Sequence, residues 1–528
     1  MAHLTRNTIA AVLLSLMALY GCNGRKEIVI MLEEGESVWG GRVKDGSMMP
    51  FCEGFYASLN DNRSNQVNPL LLTSKGRYIW SEHPYTFRIG DGCVVINDAS
   101  AEVVSSVTQE GTLASAFSEA AARFFPADGK MPPSEFFEQP QYNTWIELMY
   151  DQNQQGIIEY AEGILANGLP AGIIMIDDTW QDDYGKWTFA PERFPDPKGM
   201  VDRLHEMGFK VMLWICPFVS MDQYQICSEI TSFDGFVRAS DGLPYPVRWW
   251  NGTSAVLDFS NPRSVLWLES QLHRLMEECG VDGFKFDAGD FDFYPEDGIY
   301  FSGASRGCEQ CSLFVQIAEK YPYNELRAGW KNAGKAIVQR LHDKEHSWED
   351  LRKLIPEMCA EGLMGFSFCC PDMVGGGSFG TFLNGDIDHE LLVRSAQCHA
   401  LMPMMQFSLA PWRVLEKDKY NAVLKAVRTR YEMLPLIRSL MERAASTGEP
   451  AVTPLEYHFP GRGYERVCDE FMLGKDVLVA PMLAPGDSRT VLLPEGTWVS
   501  DTGEEIIGGT SIKIFVPLDR LPYFMKKK

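Results

Sequence analysis

Gly280-Val281-Asp282-Gly283-Phe284-Lys285-Phe286-Asp287 is a short apolar run that ends on a carboxylate. It is too short for a helix and is opened by glycine, so it predicts a strand. Working outward from it, further runs of this kind occupy 144–150, 172–178, 210–217, 255–259, 337–341, 364–370 and 403–408. Between them lie stretches with helical spacing. Ile157, Ile158, Ala161, Ile164 and Leu165 share one face, and Leu351, Leu354, Ile355 and Met358 share another. Eight strands alternating with helices over about 300 residues predict a (β/α)8 barrel, an α/β fold. The fourth run, 255–259, also fits a hairpin in the long loop after the third strand.

The flanks follow another rhythm. Ile28-Val29-Ile30-Met31 and Cys93-Val94-Val95-Ile96, with Asp45-Gly46 and Asp91-Gly92 nearby, are short apolar runs broken by turn residues. Val477-Leu478-Val479-Ala480, Val491-Leu492-Leu493 and Ile512-Lys513-Ile514-Phe515-Val516 repeat that pattern near the other end. The expected division is an N-terminal β-sandwich at 23–130, the catalytic barrel at 131–440 and a C-terminal β domain at 441–528. At about 150 residues per domain, 528 residues fit several units. Apolar residues at 45% and charged residues at 23% are ordinary globular composition. The charge sum, 48 − 71 = −23, argues against a nucleic-acid binder, which needs a basic face. The 13 tryptophans suit stacking on sugar faces, although core packing uses the same rings.

Arg6 precedes an almost wholly apolar run from Thr8 to Tyr20, followed by Gly21-Cys22. The run is shorter than the roughly 20 residues that span a bilayer, so it reads as a secretory signal over 1–22. A small residue before Cys22 resembles a bacterial lipoprotein cleavage site. A lipid-anchored protein of the bacterial cell envelope is expected, held to the membrane through Cys22. Cys308-Glu309-Gln310-Cys311 has metal or redox spacing but no second pair beside it, so no metal site is expected.

In (β/α)8 barrels the reacting groups sit at the C-terminal ends of the strands. There, 172–178 ends in Asp177-Asp178, 282–287 ends in Asp287, and 364–370 is followed by Asp372 and by Gly375-Gly376-Gly377. One such Asp is explained equally well by capping of the next helix. Four from three strands on one rim are harder to assign to caps. Paired carboxyls across a cleft are what glycosidic cleavage needs, one to protonate the departing oxygen and one to face the anomeric carbon. Their separation, about 5–5.5 Å for retention or 6.5–9.5 Å for inversion, is not readable from sequence.

At these residues the chain resembles glycoside hydrolase family 31, from about Trp80 to the C-terminus. Gly280–Asp287 is similar to that family's nucleophile strand, and Pro371-Asp372-Met373-Val374-Gly375-Gly376 to its acid/base loop in one branch. Val338-Gln339-Arg340, Pro411-Trp412-Arg413 and Phe471-Met472-Leu473-Gly474 add to the likeness. The resemblance implies the same three-part architecture and a retaining double displacement without metal or organic cofactor. Asp287 would attack the anomeric carbon, while Asp372 would protonate the aglycone oxygen and then activate water. Arg340 matches an arginine near the bound sugar, steadying charge at the nucleophile or a hydroxyl.

The family's α-glucosidase branch carries W-x-D-M-N-E around the nucleophile, where this chain has Lys285-Phe286-Asp287-Ala288-Gly289-Asp290. A histidine of that branch is replaced here by Ser408. Lys285-Phe286-Asp287 and Asp177-Asp178 look instead like the α-galactosidase branch. A Lys285 donor with Asp177 and Asp178 acceptors suits adjacent hydroxyls around an axial 4-hydroxyl. Pairing of Lys285 with Asp287 or Asp290 is the structural alternative. Trp250, with Trp249, is a candidate stacking ring, and Trp214, Trp145 and Glu147 are candidates for the floor.

The expectation is a retaining, exo-acting α-glycoside hydrolase that takes an oligosaccharide or glycoconjugate, with α-galactosides first. α-Glucosides, α-xylosides and α-N-acetylgalactosaminides are alternatives on the same site. Two readings of other classes are a glycan-binding surface lipoprotein without catalysis and a redox or metal protein built on Cys308 and Cys311.

Overall fold

Gln66–Thr73 is buried along its whole length because it lies between two cores. Val67 and Leu71 point into one, Leu70 and Leu72 into the other, as the two-residue period of a strand requires. The computed structural model describes residues 17–20, 26–303, 305–383 and 386–527. Arg6 and Cys22, and with them the lipidation reading, lie outside the described residues.

The strand Gln66–Thr73 pairs antiparallel with Val38–Arg42 and Arg77–Ser81, and the latter pairs with Val103–Val107. A second antiparallel sheet runs in the order Met17–Tyr20, Lys26–Met31, Cys93–Asn97, Thr86–Gly90, Tyr56–Ser58. Ile28, Ile30, Phe87, Val94 and Ile96 of this sheet pack on Val67, Leu71 and Ile79 of the first. On its other face the first sheet meets the barrel layer through Leu70, Leu72 and Trp80.

Eight parallel strands form the nearly closed barrel. They are β1 (Gln141–Asn143), β2 (Ile173–Ile176), β3 (Lys210–Ile215), β4 (Gly283–Phe286), β5 (Tyr323–Leu326), β6 (Gln339–Arg340), β7 (Cys369–Cys370) and β8 (Gln406–Phe407). Pairing runs unbroken from β7 through β1 to β8. The seam between β7 and β8 is bridged by Met373 against Gln406, beyond the end of β7. At the start of β4 a Cβ on Gly283 would stand 1.9 Å from the carbonyl oxygen of Tyr323, so only glycine lets β4 lie this close to β5.

Two of the eight expected strands are misplaced. The run 144–150 is not a strand: β1 lies just upstream, and Trp145–Leu148 is a helical turn. The run 255–259 belongs to the hairpin alternative, a three-stranded antiparallel sheet of Phe218–Ser220, Gly252–Val256 and Pro246–Trp249 above the barrel. Its place is taken by β5, Tyr-Asn-Glu-Leu, which shows no apolar run. The reason is that the barrel interior is polar: Gln141, Asn143, Glu325, Gln339 and Gln406 are all buried. Gln406 donates to Gln141 and to Glu325 at 2.8 Å each, which joins three of these side chains across the interior.

The 31-residue helix Lys417–Thr447 closes the outside of the barrel. Arg430 on it is buried and donates to the carbonyls of Phe137, Ala400, Met402 and Pro403 at 2.6–3.2 Å. Arg394, on the helix His389–Ala400, reaches the C-terminal domain and donates to the carbonyls of Gly486, Val516, Pro517 and Arg520. That domain holds the expected strands Val477–Val479, Ser488–Leu493 and Thr510–Phe515 around Leu478, Val491, Leu493 and Trp498.

Candidate active site

On β4 the strand alternation turns Phe284 and Phe286 outward onto Tyr321 and Lys285 inward. The chain then bends sharply, with Ala288 at φ 57, a left-handed conformation for a residue with a side chain. That bend lets the Ala288 N–H donate to Asp287 Oδ1 at 2.9 Å. Arg327 Nε donates to the same oxygen at 2.9 Å, and Trp214 Nε1 donates to Oδ2 at 3.0 Å. Burial alone would raise the Asp287 pKa. The charges of Arg327, Lys285 and Arg340, with the Trp214 hydrogen bond, outweigh it and hold the carboxyl far below the usual range. Asp287 is 9% exposed and stays ionised at any working pH.

Arg327 was not singled out from sequence. It directly follows β5, so it stands at a strand end by the same rule that found Asp287. Its guanidinium bridges Asp287 and, through Nη2 at 2.8 Å, Asp290. Trp250, 48% exposed, lies over it with its ring centroid 5.7 Å from Cζ, and Trp249 is buried behind Trp250.

Arg340 is buried. It donates to Asp343 at 2.8 Å and to Asp372 at 2.6 Å, and its Nε lies 3.3 Å from Glu325. The two aspartates differ. Asp372 is 0% exposed, with φ 79, and its second oxygen accepts from the backbone N–H of Lys344 and Gly377. Burial pushes its pKa up to about 6 against the opposing charge of Arg340. A Cβ on Gly377 would sit 2.9 Å from its Oδ1, so the glycine run admits the carboxylate rather than a ligand. The side chain of Asp343 is 44% exposed, three residues past Arg340, and its charge reaches both Arg327 and Asp372. Asp372, expected as the acid/base, is thus enclosed by protein donors, whereas Asp343 faces open space beside Arg327. Asp343 lies just beyond the predicted 337–341 strand, and the strand-end rule would have found it.

Lys285 pairs with Asp177, not with Asp287 or Asp290, at 2.6 Å. Burial would lower the lysine's pKa, and Asp177 reverses that and raises it. Asp178 is taken up by protein donors. It accepts from Asn251 at 2.6 Å, from Gln181 at 3.2 Å, and from the Tyr184 hydroxyl on both oxygens. Burial raises its pKa to about 6. Asn251 in turn accepts from the Tyr150 hydroxyl at 3.1 Å. Thus Asp178 latches the hairpin that carries Trp250 instead of offering itself to a hydroxyl. Trp145 stands with Tyr150 and Phe379 at this rim and donates to the Gly377 carbonyl. Glu147 is drawn away from the floor by Arg413 and the Ala410 N–H. Ser408 accepts from the Ile146 N–H inside the barrel wall.

Among the described residues no group of three or more His, Cys, Asp or Glu side chains is placed to hold a metal ion. Cys308 and Cys311 sit in the core beside Phe291 and Trp330, and burial raises the Cys308 thiol to about 12.

Comparison with known proteins agrees with this architecture. The family description "Glycosyl hydrolases family 31 TIM-barrel domain" matches residues 130–440, and "Glycosyl hydrolase family 31 C-terminal domain" matches 448–528. The myogenesis-regulating glycosidase of Mus musculus is 33% identical over 423 residues, 76% of this chain and 58% of that protein. Alpha-glucosidase 2 of Bacillus thermoamyloliquefaciens is 29% identical over 71% of this chain and 51% of its own length. The chain thus spans between half and three-fifths of these relatives. In structure it is similar to a Flavobacterium johnsoniae GH31 dextranase complexed with glucose, with TM-score 0.84 at 20% identity over 96% of this chain and 67% of that one. Because the barrel description alone accounts for more than half of the residues, and the C-terminal one follows it in order, the chain belongs to glycoside hydrolase family 31.

Proposed function

We propose that this chain is a retaining, exo-acting α-glycoside hydrolase with Asp287 as nucleophile and Asp343 as acid/base. The observation that carries the reading is the contrast between two carboxylates around Arg327. Asp287 is kept ionised and aimed by three donors, as attack on an anomeric carbon requires. Asp343 is exposed at the next strand end but one, where it can give a proton to the departing oxygen and later take one from water. Arg327 and Trp214 stay on the nucleophile throughout and limit its reorganisation. Trp250 supplies an aromatic face for the sugar.

For the sugar we propose an α-galactoside. Support comes from the Lys285–Asp177 pair at the barrel floor, a donor and an acceptor fixed side by side. A site built to pair both hydroxyls of one epimer leaves these groups unpaired with the other. The relatives named as α-glucosidases make α-glucosides the first competitor.

The test is hydrolysis of matched p-nitrophenyl α-galactoside, α-glucoside, α-xyloside and α-N-acetylgalactosaminide, with Asp287→Ala beside the parent. Preference for the galactoside, lost in the variant, supports both parts. Preference for another α-glycoside keeps the carboxylates and removes the sugar assignment. Silence on every glycoside by folded protein removes the hydrolase reading.

A further inference from the structure

The tight loop between Tyr56–Ser58 and Gln66–Thr73 holds two consecutive non-glycine residues in left-handed conformation, Arg63 at φ 48 and Ser64 at φ 62. Such backbone persists only where the surroundings over-determine it. What surrounds it is the barrel. Asn62, Asn65 and Gln66 are each at most 1% exposed. Asn62 Nδ2 donates to Asp290 Oδ1 at 2.9 Å and to the Asn65 carbonyl at 3.0 Å. Gln66 Nε2 donates to the carbonyls of Arg327 at 2.8 Å and Arg340 at 3.2 Å, and Asn65 Nδ2 approaches the same two at 3.4 and 3.3 Å. Asn65 Oδ1 accepts from His342 N at 3.2 Å. Just past Arg327, Gly329–Trp330 adds to the sandwich sheet beside Gln66 and Val67.

We infer that Asn62, Asn65 and Gln66 of the N-terminal sandwich are positioning residues for the hydrolytic site. They fix the main chain at both arginines and the carboxylate of Asp290, and so hold the Arg327 guanidinium against Asp287. This rests on Asp287 being the nucleophile. None of the three amides reaches Asp287, so their effect passes through Arg327 and Asp290. Arg327 lies between two aspartates. If Asp290 turns away, or the main chain at 327 shifts, the guanidinium leaves Asp287 with one donor fewer and its largest neutralising charge displaced.

The full-length chain carries the test. Gln66→Met keeps side-chain length but removes the donor to both carbonyls. Asn62→Ser removes the amide given to Asp290 and covers the case in which Gln66→Met does not fold. Ile89→Val, in the sandwich core, is the control for general loosening of that domain. For the two clamp variants kcat should fall about 10–100-fold with KM within about threefold of the parent. Their crystal structures should show Arg327 Nε farther than hydrogen-bond distance from Asp287 Oδ1. Parent-like kcat in a variant that melts with the parent would overturn the inference. So would an Arg327–Asp287 contact unchanged in the variant crystal. If the parent cleaves nothing, the proposed function falls, and the crystallographic comparison still decides whether the amides hold Arg327.

Discussion

Asp343 and Asp372 share Arg340, yet only Asp343 is exposed. Asp343→Ala should lower kcat/KM about 10²–10⁴-fold on glycosides with poor leaving groups, the range a general acid supplies. On an activated aryl glycoside, whose aglycone leaves without a proton, added azide should restore the second step and give the glycosyl azide of retained configuration, read by NMR. Azide rescue of Asp372→Ala, and none at Asp343, would return the acid/base role to Asp372. Asp178 makes a second residue-scale prediction through its pKa of about 6. That value lies above the ordinary carboxyl range, so the folded state holds the proton more tightly than the unfolded one. Its contribution is favourable at low pH and is lost as pH rises from about 4 through about 6. Asp178→Asn does not titrate, so its melting temperature relative to the parent should climb over that interval. A difference independent of pH would contradict the burial argument.

The hairpin built from Pro246–Trp249 and Gly252–Val256 is hydrogen-bonded to the site through Asn251, on Asp178, Tyr184 and Tyr150, beside the ring contact of Trp250 with Arg327. Asn251→Ala should free Trp250 and raise KM about 3–10-fold, about one hydrogen bond's worth, with kcat nearly unchanged. Steady-state kinetics on the preferred glycoside checks this, and an unchanged KM would show that the hairpin is fixed by other contacts. The same elements show how far the sequence could be read. β2, β3 and β4 announce themselves as apolar runs because their neighbours cover both faces. β5 does not, since it sends Glu325 into a polar barrel interior where hydrogen bonding replaces hydrophobic contact. Missing β5 hid Arg327, which is legible only as the residue that ends it. Asp287 was legible because an apolar strand points at it. Asp372 was singled out by the same logic, and burial, which only tertiary packing decides, separates it from Asp343.

At the scale of the whole molecule, one apolar cluster runs from the N-terminal sheets through the barrel layer into the C-terminal region, and buried polar side chains add to it. Arg394 is one such tie to the C-terminal domain, with four carbonyls on its guanidinium. Arg394→Met leaves those carbonyls unpaired inside the protein, a loss of about 3–5 kcal/mol. Limited proteolysis should then cut near Gly486 and Pro517 while the barrel stays resistant, and equal resistance in parent and variant would refute the link.

The amide clamp joins parts of the chain that are made at different times. Gln66 and the Arg340 carbonyl it serves are 274 residues apart. At about 5–20 residues per second, a ribosome needs roughly 15–55 s to cover that distance. From the synthesis of Val103–Val107, the last sandwich strand, until Gly329–Trp330 follows, Asn62, Asn65 and Gln66 face water and the strand end at Gln66–Val67 stays open. The nascent chain therefore carries an open strand end for a large part of its synthesis, and it is sealed in the same step that brings Arg327 and Arg340 to the candidate active site.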